Sequence, residues 1–244
     1  MRHTILTLML LLSFPFLYAA ECDKSFNPYM KTDLVSAYLW RGQKNAGVSF
    51  QPVAGFKYRG LDVYFWGNVQ LCPPASQKDK HEIDLFIKYR IKNFTIGLKD
   101  VYVNTRGDGV FSFGSIPHSA NGLDALIGYD FGFLQAEWST TIAGYDGYNH
   151  SGHRSYGSYL VLTAPLKARW FDFSAQLGVV PYYCSRYSED NSNGFHVNMC
   201  AVKMAHTFTF GSSHLQLTPY TQLMVNPSAR TAHMTVGASF QMNP

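Results

Sequence analysis

Residues 61–69 read Leu-Asp-Val-Tyr-Phe-Trp-Gly-Asn-Val, and their pattern decides the fold. Leu61, Val63 and Phe65 alternate with Asp62, Tyr64, Trp66 and Asn68, the period-2 signature of a strand with one apolar and one polar face. Only Arg59-Gly60 separates this stretch from residues 48–58, where Phe50, Ala54, Phe56 and Tyr58 share a face. A longer polar segment, 70–80, follows it. The same alternation recurs to the end of the chain, while helical periodicity is nearly absent. Expected strands cover 33–41, 48–58, 61–69, 81–89, 93–102, 122–129, 133–143, 156–164, 171–179, 195–207, 214–225 and 232–242. Strands of this length suit the ~9–11 residues that a tilted membrane-spanning strand requires.

The connections sort by length. The even-numbered ones, at 59–60, 90–92, 130–132, 165–170 and 208–213, are short, whereas most of the odd-numbered ones (70–80, 103–121, 144–155 and 180–194, but not 42–47 and 226–231) are long and rich in Gly, Ser, Asn and Asp. Outer-membrane barrels alternate in this way, with tight periplasmic turns and longer external loops; a soluble sandwich has no reason to. Tyr58, Tyr89, Tyr129, Phe131, Phe133, Trp170, Phe171, Phe208 and Phe210 flank the short turns. Rings there suit one interfacial girdle, with Tyr38, Trp40, Tyr102, Tyr156, Tyr183 and Phe195 as candidates for the opposite one. The expected fold is therefore all-β: a closed antiparallel transmembrane barrel of about 12 strands, closed because hydrocarbon offers no partner to an open edge.

Composition is consistent. Charged residues are 15% of the 244, below the ~25% usual for soluble domains, and aromatics reach 16%. A net charge of +4 without any Lys/Arg cluster argues against nucleic acid as a partner. Met1-Arg2-His3, the apolar run 4–16 and Leu17-Tyr18-Ala19-Ala20 have the layout of a secretory signal. Glu21 stands before Cys22 where a lipoprotein signal has a small residue. The expected organisation is a signal peptide at 1–20, a periplasmic lead-in at 21–30 and a barrel at 31–244.

Three motifs carry a resemblance. Asp33-Leu34-Val35-Ser36-Ala37-Tyr38-Leu39-Trp40-Arg41-Gly42 resembles the V-S-x-Y-x-W-R-G first strand of the TorF-type porin family, and Trp66-Gly67-Asn68 and Glu82-Ile83-Asp84-Leu85 fall where that family carries its W-G-S/N and E-I-D-L motifs. The resemblance covers roughly residues 33–90. It implies a Gram-negative outer-membrane barrel that acts as a small-solute porin, with no settled substrate.

If the apolar faces meet lipid, the opposite faces line the interior. The residues expected there are Lys57, Asp62, Tyr64, Trp66, Glu82, Asp84, Lys88, Lys99, Glu137, Asp172, Gln176, Lys203, Gln216, Gln222 and His233, with Tyr38, Trp40 and Arg41 near the outer mouth. Both charge signs appear, so no single-sign field selects cations or anions, and internal ion pairing competes with a pore-lining role. Cys72 and Cys184 both fall in loops of the external side and are the candidate disulfide; Cys22 and Cys200 are expected to be unpaired. Gly107-Asp108-Gly109 and Asp190–Gly194 have turn chemistry without calcium-loop spacing.

The expected function is passive diffusion of small polar solutes, with outer-membrane lipid as the surroundings and no cofactor, metal or covalent step implied. An oligomer is not demanded. The alternative is a closed barrel that serves as a surface-binding or structural scaffold. A third reading takes His153 and Ser155, in the loop 149–155, with Asp146 as a nucleophile–base–acid set of a lipid hydrolase.

Overall fold

The computed structural model describes residues 25–73, 81–103, 121–144, 148–187, 194–211 and 215–242. The signal segment 1–20, Cys22, Asp146, Gly107-Asp108-Gly109 and most of the 103–121 loop lie outside them. The elements are β1 (Phe26–Val35), β2 (Tyr38–Trp40), β3 (Gln43–Ala46), β4 (Ser49–Tyr58), β5 (Leu61–Gln70), β6 (His81–Ile91), β7 (Phe94–Val103), β8 (Asn121–Asp130), β9 (Gln135–Gly144), β10 (Ser158–Lys167), β11 (Asp172–Val180), β12 (His196–Ala205), β13 (Phe208–Phe210), β14 (Leu215–Asn226) and β15 (Thr231–Met242).

Each long strand pairs antiparallel with its sequence neighbour, β12 pairs with β14, and β1 pairs with β15. The result is a closed 12-stranded antiparallel barrel, with β2–β3 a separate two-stranded hairpin and β13 a three-residue extension beside β14. Register confirms a two-faced wall. The row Phe65↔Leu85 and the row Leu98↔Ala125 lie on one side, and Asp62↔Lys88 and Lys99↔Asp124 on the other. Phe65 and Val236 are 52% and 54% exposed although each sits within a strand, whereas Asp84 and Asp124 are 1% exposed. Apolar residues face out and charged ones face in, the inverse of a soluble core.

Inward rings need room in so narrow a cylinder, and glycine supplies it. A Cβ at Gly55 would stand 2.4 Å from Tyr64 Cβ, one at Gly237 would stand 2.7 Å from Tyr220 Cζ, and one at Gly178 would strike the Tyr159 hydroxyl. The Tyr159 and Tyr220 rings lie across a neighbouring strand's glycine, and Gly55 lets the base of the Tyr64 side chain come close. Pro52 leaves its own trace: the β4–β5 ladder runs from Phe50↔Val69 to Val53↔Trp66 and omits the proline, which has no N–H to give.

The first strand departs from expectation. It begins at Phe26, inside the expected lead-in, and stops at Val35, so 33–41 is not one strand. β4 has ten residues, and all ten of β1 are paired with it, Phe26↔Tyr58 to Val35↔Ser49. Residues 36–48 then leave the wall. Trp40 pairs with Gln43 across Arg41-Gly42, whose φ values of 46° and 85° are those of a tight two-residue turn. Consequently Tyr38 and Trp40 belong to no outer girdle. Tyr38 is buried, its ring 5.3 Å from that of Trp66.

Candidate functional site: a hairpin across the interior

The β2–β3 hairpin folds into the barrel and touches most of its circumference. At its root, Ser36 N donates to Val236 O (2.9 Å), Ala37 N to Thr235 Oγ1 (3.1 Å), and Thr235 Oγ1 back to Ala37 O (2.9 Å). Tyr38 reaches Glu82 on β6 through its hydroxyl (3.4 Å). At the tip, Asn198 Nδ2 on β12 donates to Arg41 O (3.0 Å) and Asn226 Nδ2 on β14 to Gly42 O (3.3 Å). Gln43 Nε2 donates to Arg186 O (3.1 Å) in the β11–β12 loop.

The tip is held by aromatic faces as well. The Arg41 guanidinium carbon lies 5.0 Å from the Trp40 ring, 4.5 Å from Tyr159 and 5.2 Å from Tyr187, and Arg41 also donates to the Tyr187 hydroxyl. Stacking of this kind substitutes for water around a weakly hydrated guanidinium. Tyr159 in turn donates to Asn198 Oδ1 (2.8 Å), so ring, asparagine and hairpin carbonyl form one chain of contacts.

Beside the tip sit two buried ion pairs. Lys99 Nζ lies 2.7 Å from Asp84 Oδ2, and Arg186 Nη1 donates to both oxygens of Asp124 at 2.8 and 2.9 Å. Thr141 Oγ1 adds a third bond to Asp124 (2.8 Å). Trp40 lies against both cations, 5.6 Å from Lys99 Nζ and 5.1 Å from the Arg186 guanidinium carbon. Hairpin, pairs and rings thus fill one level of the barrel. Asp124, Arg186, Tyr159 and Tyr187 were not among the expected site residues. Asp124 follows from the alternation of β8, but Arg186 and Tyr187 come from a loop whose pattern gives no direction.

Nearer the short turns the interior opens. A cavity of about 290 Å³ under the hairpin is lined by Tyr38, Trp40, Tyr64, Trp66, Asp84, Lys99 and Gln222 among others. A second, of about 500 Å³, includes Lys57, Asp62, Lys88 and Glu137 and lies towards the short-turn end. Lys88 pairs with Glu137 (3.2 Å), and Tyr29 donates to Asp62 (2.8 Å). Gln176 donates to Thr163 (3.3 Å), and Lys203 Nζ sits 3.7 Å from the Tyr220 ring centre. Asp172, Gln216 and His233 fall on the same inner register further along their strands.

Two other expected sets do not come together. Cys72 is exposed beyond β5, whereas Cys184 is buried with Tyr159, Val180 and Tyr187, so the expected Cys72–Cys184 bridge is not formed. Cys200 lies on the outer face of β12, exposed. His153 is exposed in the β9–β10 loop with its backbone N–H on Asn149 Oδ1 (3.0 Å), Ser155 is half-buried two residues on, and Asp146 lies outside the described residues.

Comparison with known proteins adds little beyond this geometry. No family profile matches the chain, and no curated protein matches it. The TorF-type resemblance therefore stands on the motifs of residues 33–90. Among solved structures, the chain is similar to an outer membrane channel from Pseudomonas putida F1, at 11% identity and a TM-score of 0.46, over 93% of this chain and 98% of that one. It is also similar to a chain solved in a study of how membrane proteins crystallise in meso, at 9% identity and a TM-score of 0.45, over 89% and 83% of the two.

Proposed function

We propose that the protein is an outer-membrane channel through which small polar solutes diffuse, narrowed at one level by the β2–β3 hairpin. The observation that carries this reading is the inversion of the wall: a closed sheet with apolar residues outside and a polar, cavity-bearing interior. An apolar exterior around a closed ladder suits hydrocarbon, because strands paired all the way round leave no open sheet edge. The two described ends of the chain lie at the short-turn end, which we assign to the periplasm, and the long loops to the outside. The interior charges are mixed in sign and mostly paired, so the channel discriminates by width and hydrogen bonding more than by net charge.

A second reading, a closed scaffold barrel, draws support from the filled level around Arg41, Tyr159, Asp124 and Arg186. Planar-bilayer recording separates the two. The channel reading expects a current carried by cations and anions alike, larger once the hairpin tip is dislodged. No current from either the natural protein or a variant with a dislodged tip refutes it and leaves the scaffold.

A further inference from the structure

The cavity of about 290 Å³ beneath the hairpin has a composition that a pore constriction does not require. Six rings border it: Tyr38, Trp40, Tyr64, Trp66, Phe86 and Tyr220. Tyr64 and Phe86 stack at 4.5 Å, and Tyr38 and Trp66 meet at 5.3 Å, so the rings are already braced against one another while still bordering open space. Between them stand two neutral amides, Gln51 and Gln222, and one ion pair, Asp84–Lys99. Apolar faces with a few convergent polar groups are the usual make-up of a small-molecule site, and this volume is at the lower end of such sites, ~300 Å³.

One polar atom points to what is missing. Asp84 is 1% exposed, and its Oδ2 is taken by Lys99, yet its Oδ1 has no hydrogen-bond donor among the described residues. A buried carboxylate oxygen left without a donor costs free energy, and Asp84 is one of the residues that line the cavity. The Gln51 amide group donates to Asn68 (3.0 Å), which leaves its carbonyl oxygen as a further acceptor. An occupant with hydroxyl or N–H donors therefore meets acceptors here, the Gln51 carbonyl oxygen among them.

Charge narrows the choice. The Asp84–Lys99 pair is neutral as a unit and presents both signs at once. An ammonium group would face the Lys99 cation, and a carboxylate would face Asp84. A purely apolar solute would leave the amides of Gln51 and Gln222 without a partner in the cavity. A neutral ring with C–H faces for the aromatic rings and hydroxyls around its edge meets every requirement. The larger cavity lies next to this one on the short-turn side. The Asp62↔Lys88 row of the larger cavity is adjacent, on β5 and β6, to the Tyr64↔Phe86 row of this one.

We propose that this cavity binds a neutral monosaccharide; as a statement about the solute, the inference rests on the channel reading above. The test uses the full-length protein purified in detergent, with the fluorescence of its tryptophans, two of which border the cavity, followed during titration with glucose. Glucuronate and glucosamine are titrated in parallel. A saturable change with glucose, at least about tenfold weaker with either charged analogue, is expected. Gln222→Leu, which removes one hydrogen-bonding partner and keeps the rings, should weaken glucose about tenfold. Gln222→Glu, whose carboxylate would stand across the register from Lys203, should shift the order of preference towards glucosamine. An outer-face control, Phe65→Leu, should change nothing. No saturable glucose response overturns the proposal. So does equal affinity for glucuronate, and so does indifference to both Gln222 variants in folded protein. Glucose-driven swelling of proteoliposomes is measured separately. Swelling without saturable fluorescence removes the site and keeps the channel, while saturable binding with neither swelling nor current, in the natural protein and in a variant with a dislodged tip, keeps the site and removes the channel.

Discussion

Replacing Gly42 by alanine should free the hairpin tip. A Cβ built at Gly42 stands 2.0 Å from Asn198 O and 3.1 Å from Asn226 Nδ2, on a residue with φ of +85°. Ordinary contact begins near 3.4 Å, so the tip must withdraw by about 1.4 Å or the β12 backbone must yield. A withdrawal of that size breaks the bonds from Asn198 to Arg41 O and from Asn226 to Gly42 O, now 3.0 and 3.3 Å. Left-handed strain of ~1 kcal/mol and two hydrogen bonds of ~1 kcal/mol each give about 3 kcal/mol against the docked tip. That is on the order of a hundredfold in the docked-to-undocked ratio. Single-channel recording in planar bilayers is the assay, and longer or larger openings are expected. Gly132→Ala is the control. It has φ of +86° in the turn between β8 and β9, with nothing within 4 Å of the added carbon, so it carries the strain without the collision. The reasoning is refuted if Gly42→Ala, correctly inserted, conducts as the natural protein does, or if Gly132→Ala changes the trace equally.

Asp124→Ala leaves the Arg186 guanidinium buried without its carboxylate and should lower stability by about 3–5 kcal/mol, read as a shift in the urea unfolding midpoint. Phe65→Arg places a cation on the outward face and should cost about 2–4 kcal/mol if that face meets hydrocarbon, seen as a loss of correctly inserted barrel in lipid vesicles. The inward Gln176→Arg should insert nearly normally in the same assay. Peptide mapping after maleimide labelling of the barrel in vesicles should find Cys72 modified by a membrane-impermeant reagent. Cys200 should be modified by a lipid-soluble reagent only, and Cys184 by neither until the barrel is unfolded.

The wall was legible because a barrel writes its two faces into every strand. Leu61 to Val69 shows this in one line, and Asp62, Lys88, Lys99 and Gln222 follow from counting by twos. The parity of the connections then separated the two ends. The hairpin was not legible, since Tyr38-Leu39-Trp40 alternates like any strand and the pattern has no term for a chain that leaves the sheet. Its one local signal is Arg41-Gly42, a pair that admits two positive φ values in succession. The partners of the tip were hidden for another reason. Arg186 and Tyr187 sit in a loop, and Asn198 sits at a register shift in β11–β12, where counting by twos fails. The bridge between Cys72 and Cys184 failed because loop membership says nothing about depth.

The first and last strands meet along only six residue pairs, Met30↔Met242 to Val35↔Gly237, half the twelve that join β14 to β15. Beyond Val35 the seam is continued by Ser36 and Ala37, whose bonds to Thr235 and Val236 belong to the hairpin's root. Obstruction and fastening are therefore functions of one stretch of backbone. A truncation made to widen the passage would also unbutton the cylinder along one of its shorter margins, so any natural widening must swing the tip while the root stays sewn.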